Sequence, residues 1–524
     1  MIAPESESPR LLNRSRPGRG LVVALLALAV LAGPVVLAED DPEVEAEGES
    51  ASQEGESTDA RRRWKAPKPG YSRLNSRWRQ LDAFGVQLPR GSLIDPYNQN
   101  PIKGDFPIIG DRTFLVLDVL DTPAFVTSSQ SGVDNAVNNQ YFVSAEIFGG
   151  STVFRPKDWA FKVTARGLNA RNGEDVDEGP DLNELFAQVK LADIGPYYDS
   201  ASLRGGIQFF KSDFDGFVLQ DFNLGALAFG EYNENRYQWN AGFVDVQEKG
   251  DAGGVTFDDL DQDVYFVNWF WQDFIRPGFN IVFSAHRNQD DVILGEELDV
   301  TYLGLSSAGH WGRVEVNPTL YYAFGDLDVG GATVDVKAWL AGVLGAYTLD
   351  YMNFRAAIFA ASGDDDPADG DAEGFDAITD NIALFGGNVG FVIGGGEFGT
   401  RANSFLPSFR AVGTRSNFNN PGIMLVNGGW DAVLTPTLFF ESNVNYFKFM
   451  DEDGIPVLGF DGTPVDSDAL GMEVNAAFTY RVFLNENLVV KLGANLFLPD
   501  DAAEQLLGDD DNIFSSNLNV VALF

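Results

Sequence analysis

The sequence predicts an all-β chain, a transmembrane antiparallel β-barrel of about 16 to 18 strands, and three observations predict it. From about Phe114 onward, apolar and polar side chains alternate with a period of two over many segments. Clusters of Gly, Asn, Asp and Pro separate those segments, as hairpin connections require. The one long apolar run, Leu21 to Ala32, has 12 residues, short of the ~20 that span a bilayer as a helix.

Composition removes several function classes. The 524 residues include no Cys, which excludes disulfides, thiol nucleophiles, Cys-ligated zinc and covalent c-type haem. The two histidines, His286 and His310, cannot form a three-histidine metal site. With 77 acidic against 36 basic residues the formal charge is −41, so no nucleic-acid partner is expected. The chain is nonetheless 44% hydrophobic, too apolar for an acidic disordered protein.

Residues 1–38 read as a signal peptide. Arg10, Arg14, Arg16 and Arg19 precede the apolar run, and Val36-Leu37-Ala38 stands before Glu39. Residues 39–70 read as a disordered linker, acidic and then basic: Glu39 to Ala60 holds ten acidic residues and no basic ones, and the basic run that opens at Arg61 reaches Arg79. Residues 71–113 are a turn-rich lead-in, either a plug or a periplasmic segment. Residues 114–524 form the barrel.

Within it, Met472, Val474, Ala476, Phe478 and Tyr480 share one face, with Glu473, Asn475, Thr479 and Arg481 on the other. Leu488 to Leu498 repeats the pattern, as do Trp159 to Leu168, Leu185 to Leu191, Ala201 to Phe210, Arg236 to Phe243, Phe279 to Arg287, Arg313 to Phe324, Met352 to Ala361 and Leu438 to Phe449. Such spacing suits membrane strands of ~9–11 residues joined alternately by short turns and longer loops. Trp159, Trp239, Trp269, Trp271, Trp339, Tyr446 and Tyr480 fit interfacial girdles or ordinary packing.

The last strand, Ile513 to Phe524, ends on an aromatic and resembles the assembly signal of Gram-negative outer-membrane barrels. That resemblance implies the cell outer membrane as the location. The implied partners are its lipid and lipopolysaccharide and, through Phe524, the barrel-assembly machinery. Ala361-Ser362-Gly363-Asp364-Asp365-Asp366 with Gly374-Phe375-Asp376, and Leu470 to Val474 with Leu496 to Asp501, are similar to motifs of the alginate-export porin family. The similarity covers the last third of the chain. It implies a monomeric barrel of about 18 strands exporting an anionic polysaccharide, although the acidic connections and long lead-in depart from that pattern.

Lipid-facing charge is costly, so the polar strand face should line the lumen. That face carries Lys162, Arg166, Lys190, Arg204, Arg236, Arg313, Arg355, Arg481 and Lys491 against Glu146, Glu315, Glu441 and Glu473. The acidic excess falls in expected connections: Glu174 to Glu178, Asp258 to Asp261, Asp364 to Asp376, Asp451 to Asp453 and Asp509 to Asp511. The expectation is a porin passing small or polymeric, anionic solutes through a basic lumen, or else basic residues that neutralise acids across strands. An alternative is a structural sleeve around a partner, such as an electron-transfer or export protein.

Other signals are weak. No cofactor is expected beyond calcium at the acidic loops, where Asp369, Asp371, Glu373 and Asp380 follow part of a calcium-loop spacing or form a solvated acidic loop. The glycine run 394–399 lacks a strand-to-helix setting for phosphate. Ser306, Ser307 and His310 are too close in sequence for a nucleophile and base, so no enzyme is expected.

Overall fold

The structure is a computed structural model. It describes residues 102–523 except 105–106, 111, 130–135, 151–156, 173, 196–198, 215, 251–252, 293–295, 330, 367, 380–417, 452–464, 483–487 and 509. The signal-peptide and linker assignments, the lead-in before residue 102, the glycine run 394–399, Asp380 and Phe524 therefore lie outside the described residues.

The strands follow in chain order. They are β1 (Thr113–Ser128), β2 (Ala136–Gly149), β3 (Trp159–Asn172), β4 (Glu174–Asp193), β5 (Ser200–Lys211), β6 (Gln220–Tyr232) and β7 (Tyr237–Lys249). Next come β8 (Val255–Trp271), β9 (Phe279–Val292), β10 (Glu296–Trp311), β11 (Val314–Val329), β12 (Ala332–Thr348) and β13 (Met352–Ala361). After the two-residue β14 (Asp371–Ala372) stand β15 (Ile423–Thr435), β16 (Leu438–Phe449), β17 (Ala469–Arg481), β18 (Leu488–Pro499), helix α1 (Asp501–Leu507) and β19 (Ile513–Leu523).

Each long strand pairs antiparallel with the next long strand, and β19 returns to β1 with Leu120 opposite Leu523 and Phe125 opposite Leu518. Eighteen strands thus close into one barrel and leave no unpaired sheet edge in the ring. The short β14 lies parallel to β12, with Asp335 opposite Asp371. Below the end of β19, β1 runs on, and the lead-in covers its free edge: Lys103 bridges Val116, and Leu117 N–H donates to the Ile102 carbonyl.

The two ends differ in their connections. At one end β10 and β11 are joined by residues 312–313, β12 and β13 by 349–351, and β15 and β16 by 436–437. At the other, β13 and β15 are joined by the long segment containing β14, and β18 and β19 by α1. This helix corrects an expectation of strands alone. Asp500 caps its N-terminus, and Gly508 ends it with φ 69°, a left-handed conformation glycine adopts without a Cβ clash.

The acidic runs 174–178 and 258–261 are a second correction, because they lie within β4 and β8 and are not connections. Those strands have 20 and 17 residues, longer than the ~9–11 of a membrane crossing.

Outward and inward faces are chemically distinct. Leu203, Val267, Leu303, Leu320, Ile358, Val474 and Leu492 are exposed on the outside, with Val267 at 56% and Leu320 at 54%. Aromatic side chains cluster on the outside near the short turns: Tyr237 lies 5.7 Å from Trp269 and 5.5 Å from Trp271, Phe279 is 5.4 Å from Trp311, and Phe440 is 5.1 Å from both Trp430 and Phe478. No described helix is long and apolar enough to cross a membrane.

Candidate functional site

The inner wall is built by the residues that alternate with the exposed apolar ones. Toward the long loops it is apolar and filled. Phe217, Val218 and Leu219 from the β5–β6 connection, and Ala372, Phe375, Ile378 and Phe418 from the β13–β15 connection, fold onto Val264, Phe266, Val300, Tyr302, Ala338, Phe359, Leu425 and Phe447. Leu506 of α1 joins the same cluster. Burying such surface stabilises by about 25 cal/mol per Å², which holds these connections inside the barrel. Tyr302 Oη donates to the Asp376 carbonyl at 3.0 Å, and Tyr321 Oη donates to Asp213, fixing one segment on each side.

Toward the short turns the wall is polar, and its charges meet partners. Lys162 Nζ lies 2.6 Å from Glu184, and Lys190 lies 2.5 Å from Asp158 and 3.1 Å from Asp193. Arg355 grips Asp431 through two hydrogen bonds, 2.8 Å from Nε and 2.7 Å from Nη2. Lys491 stands 2.6 Å from Glu441, and Glu146 pairs with Lys157. Glu473 is buried and accepts from Asn445 at 3.3 Å and Asn475 at 3.2 Å, while Glu315 accepts from Asn317 at 2.7 Å. The geometry brings Arg355, Glu441 and Lys491 into one region of the wall, on β13, β16 and β18.

Arg204 and Arg166 are held differently. Arg204 donates through Nε and Nη2 to the neutral Gln188 amide at 3.1 and 2.8 Å and lies over Phe186 and Phe229, 4.5 and 5.3 Å from their ring centres. It lines a cavity of about 170 Å³ with Glu231, Gln238 and Asn240. Arg166 donates to the Gly253 carbonyl at 3.4 Å and stands over Phe142. Arg481 lies over Phe439.

Arg236 and Arg313 sit off the wall, in the short turns immediately before β7 and β11, and Arg313 is exposed beside Asp350 at 3.0 Å. Among the expected calcium residues, Asp371 is held by Lys337 at 2.9 Å, and Asp369 accepts from the Asp371 N–H at 2.8 Å. No group of three or more metal-ligating side chains forms among the described residues. Ser306 and Ser307 face opposite ways, toward Thr319 and the Asn280 carbonyl, while His310 is exposed.

The polar-face reading missed Glu184 and Asp431, the partners of two expected lumen cations. Glu184 shares the parity of Gln188 and Lys190 and was legible there. Asp431 follows Gly428-Gly429, which interrupts the apolar alternation of β15.

A cavity of about 530 Å³ opens near the short turns, lined by Asn353, Arg355, Asp431, Phe439, Glu441, Asn443 and Thr479. Both ion pairs at this cavity are internally neutral.

No family model matches the chain, that of the alginate-export porins included, and no curated protein matches it. Among solved structures, the chain is similar to the outer membrane protein OprD from Pseudomonas aeruginosa, at 15% identity and a TM-score of 0.49, over 78% of this chain and 94% of that one. It is also similar to Pseudomonas aeruginosa OccK3 (OpdO), at 15% identity and 0.48 over 79% and 95%, and to OccK2 (OpdF), at 12% identity and 0.49 over 79% and 97%.

Proposed function

We propose that this chain is an outer-membrane channel for the passive passage of polar solutes, with anions favoured over cations. The observation that carries the reading is the division of the closed sheet into two faces: exposed Leu, Val and Ile outside, charged and amide side chains inside. In water the outer face would leave a large apolar surface exposed, whereas in lipid it is at home and the closed ladder satisfies the backbone. The last strand places Phe514 and Leu518 on that outer face. Phe524 is then the handle for the assembly machinery, and the long-loop end of the barrel meets lipopolysaccharide.

The anion preference rests on Arg204 and Arg166, whose side-chain hydrogen bonds go to a neutral amide and a backbone carbonyl while the lysines of the wall and Arg355 bond carboxylates directly; Glu146, Glu184 and Glu231 near Arg204, and Asp181 and Asp221 near Arg166, offset part of their charge. A guanidinium bound to a neutral amide keeps its field available to a passing anion, and the low-dielectric wall limits screening. The preference is accordingly modest. A reversal potential measured across a planar bilayer under a salt gradient tests it. The expected result is an anion-selective potential that falls toward zero in the Arg166→Ala, Arg204→Ala double variant; cation selectivity in the unmodified chain contradicts the reading.

A further inference from the structure

The wall from β15 to β19 carries a band of amides. In register across the strands, Asn443 stands opposite Asn475, Asn475 opposite Asn495 and Asn495 opposite Ser515, while Asn427 stands opposite Asn445 and Asn445 opposite Glu473. All of these face inward, and Asn427, Asn443, Asn445, Asn475 and Asn495 are buried. Part of the band is self-satisfied: Asn427 Nδ2 donates to Asn445 Oδ1 at 2.5 Å, and Asn443 Nδ2 donates to Asn475 Oδ1 at 3.0 Å.

The rest is not. Asn495 is 2% exposed, and neither its Oδ1 nor its Nδ2 has a partner; the Oδ1 atoms of Asn427, Asn517 and Asn519 are in the same condition. A buried polar atom left unpaired costs about 1–3 kcal/mol, so a wall that concentrates several on neighbouring strands is suited to meeting them with something else.

The chemistry of that something is constrained. Four of the five unmet atoms are acceptors and one, Asn495 Nδ2, is a donor; a carboxylate or phosphate only accepts and leaves the four unmet, an ammonium only donates and leaves Asn495 Nδ2 unmet, whereas a hydroxyl meets both kinds. The band adjoins the larger cavity through Asn443, which belongs to both. There the charged side chains are already matched, Arg355 with Asp431 and Lys491 with Glu441, so a charged ligand finds no net opposite charge. Its volume of about 530 Å³ falls among small-molecule sites, which span ~300–1,000 Å³.

We infer that the β15–β19 wall is a binding track for uncharged, hydroxyl-rich solutes, a sugar or a polyol. It goes beyond the anion preference assigned to Arg204 on the opposite wall and relies on the channel reading only for the ligand's access to the lumen.

The test is isothermal titration of the purified full chain, in a detergent without a sugar headgroup, with maltotriose and with permethylated maltotriose. Methylation removes every donor while keeping the ring oxygens, so saturable binding of maltotriose and none of the methylated form is expected. Asn495→Leu should weaken maltotriose binding about tenfold, the loss of roughly 1.4 kcal/mol, with retained folding shown by heat-dependent gel migration. Absence of maltotriose binding, equal binding of the two ligands, or unchanged affinity in folded Asn495→Leu overturns the inference. A chain that binds maltotriose but passes no current keeps this site and loses the channel; one that conducts without binding loses this site alone.

Discussion

Arg355 and Asp431 form a pair on the inner wall whose two charges can be unmasked one at a time. Each masks the other through two hydrogen bonds at the edge of the larger cavity. Asp431→Ala frees a positive charge and is expected to shift the reversal potential toward anions; Arg355→Ala frees a carboxylate and is expected to shift it toward cations. Opposite signs from adjacent residues identify the pair as lumen-facing, and equal or absent shifts show that solute does not pass it.

Asp364, in the connection after β13, behaves as a pH-sensitive residue. Burial, joined by the nearby Asp369, Glu373 and Asp365 charges, raises its pKa from the ordinary 3.8 to about 6. A carboxyl raised in the folded state holds a proton that the unfolded chain has released, so its contribution to stability is present below the ordinary value and is lost as pH rises through about 6. Asp364→Asn, which keeps the shape and removes the charge, is expected to raise the thermal midpoint at pH 7 more than at pH 4. The comparison is read by calorimetry at the two pH values.

At the scale of the element, strand faces were legible and strand partners were not. Period-two alternation told which side of β17 and β18 carries Glu473, Arg481 and Lys491, because parity is a local property. Ion pairs such as Lys162 with Glu184 depend on register between strands, which one sequence does not display. The acidic runs in β4 and β8 read as connections in the sequence for a related reason: parity does not mark where a strand leaves lipid and enters water. Helix α1 carried its caps, Asp500 and Gly508, in plain view, but seven residues are too few for helical periodicity to stand out.

Register also explains why certain glycines stand inside strands. Gly206 has φ +127°, and a Cβ there would lie 2.2 Å from the Leu185 carbonyl of β4; its neighbour Gly205 has open space. Gly206→Ala is therefore expected to cost about 1–3 kcal/mol and to lower the temperature at which the folded form is lost on a gel, while Gly205→Ala has little effect. The connection that narrows the lumen makes a different prediction. Phe217 is fully buried and stacks 5.5 Å from Phe359. Phe217→Ala removes apolar volume from the filled half of the barrel and is expected to raise single-channel conductance, at a stability cost of about 3–5 kcal/mol.

For the whole molecule, the charge of −41 and the chemistry of the lumen are separate matters. Asp258, Asp259 and Asp261 of β8 and Asp364, Asp365 and Asp369 after β13 stand at the long-loop end, while the inner wall divides into three regions. An apolar fill occupies the long-loop half, Arg204 on β5 stands hydrogen-bonded to a neutral amide, and matched ion pairs merge into amides from β13 to β19. A barrel with a dry, packed interior along its whole length would act as a sleeve or anchor; one whose polar half connects to the far side passes solute. Conductance of the purified full-length chain, inserted alone into a planar bilayer, separates these most directly. The account predicts discrete current steps without any added partner, enlarged in Phe217→Ala. Insertion without current, or current that appears only when a second protein is supplied, contradicts it.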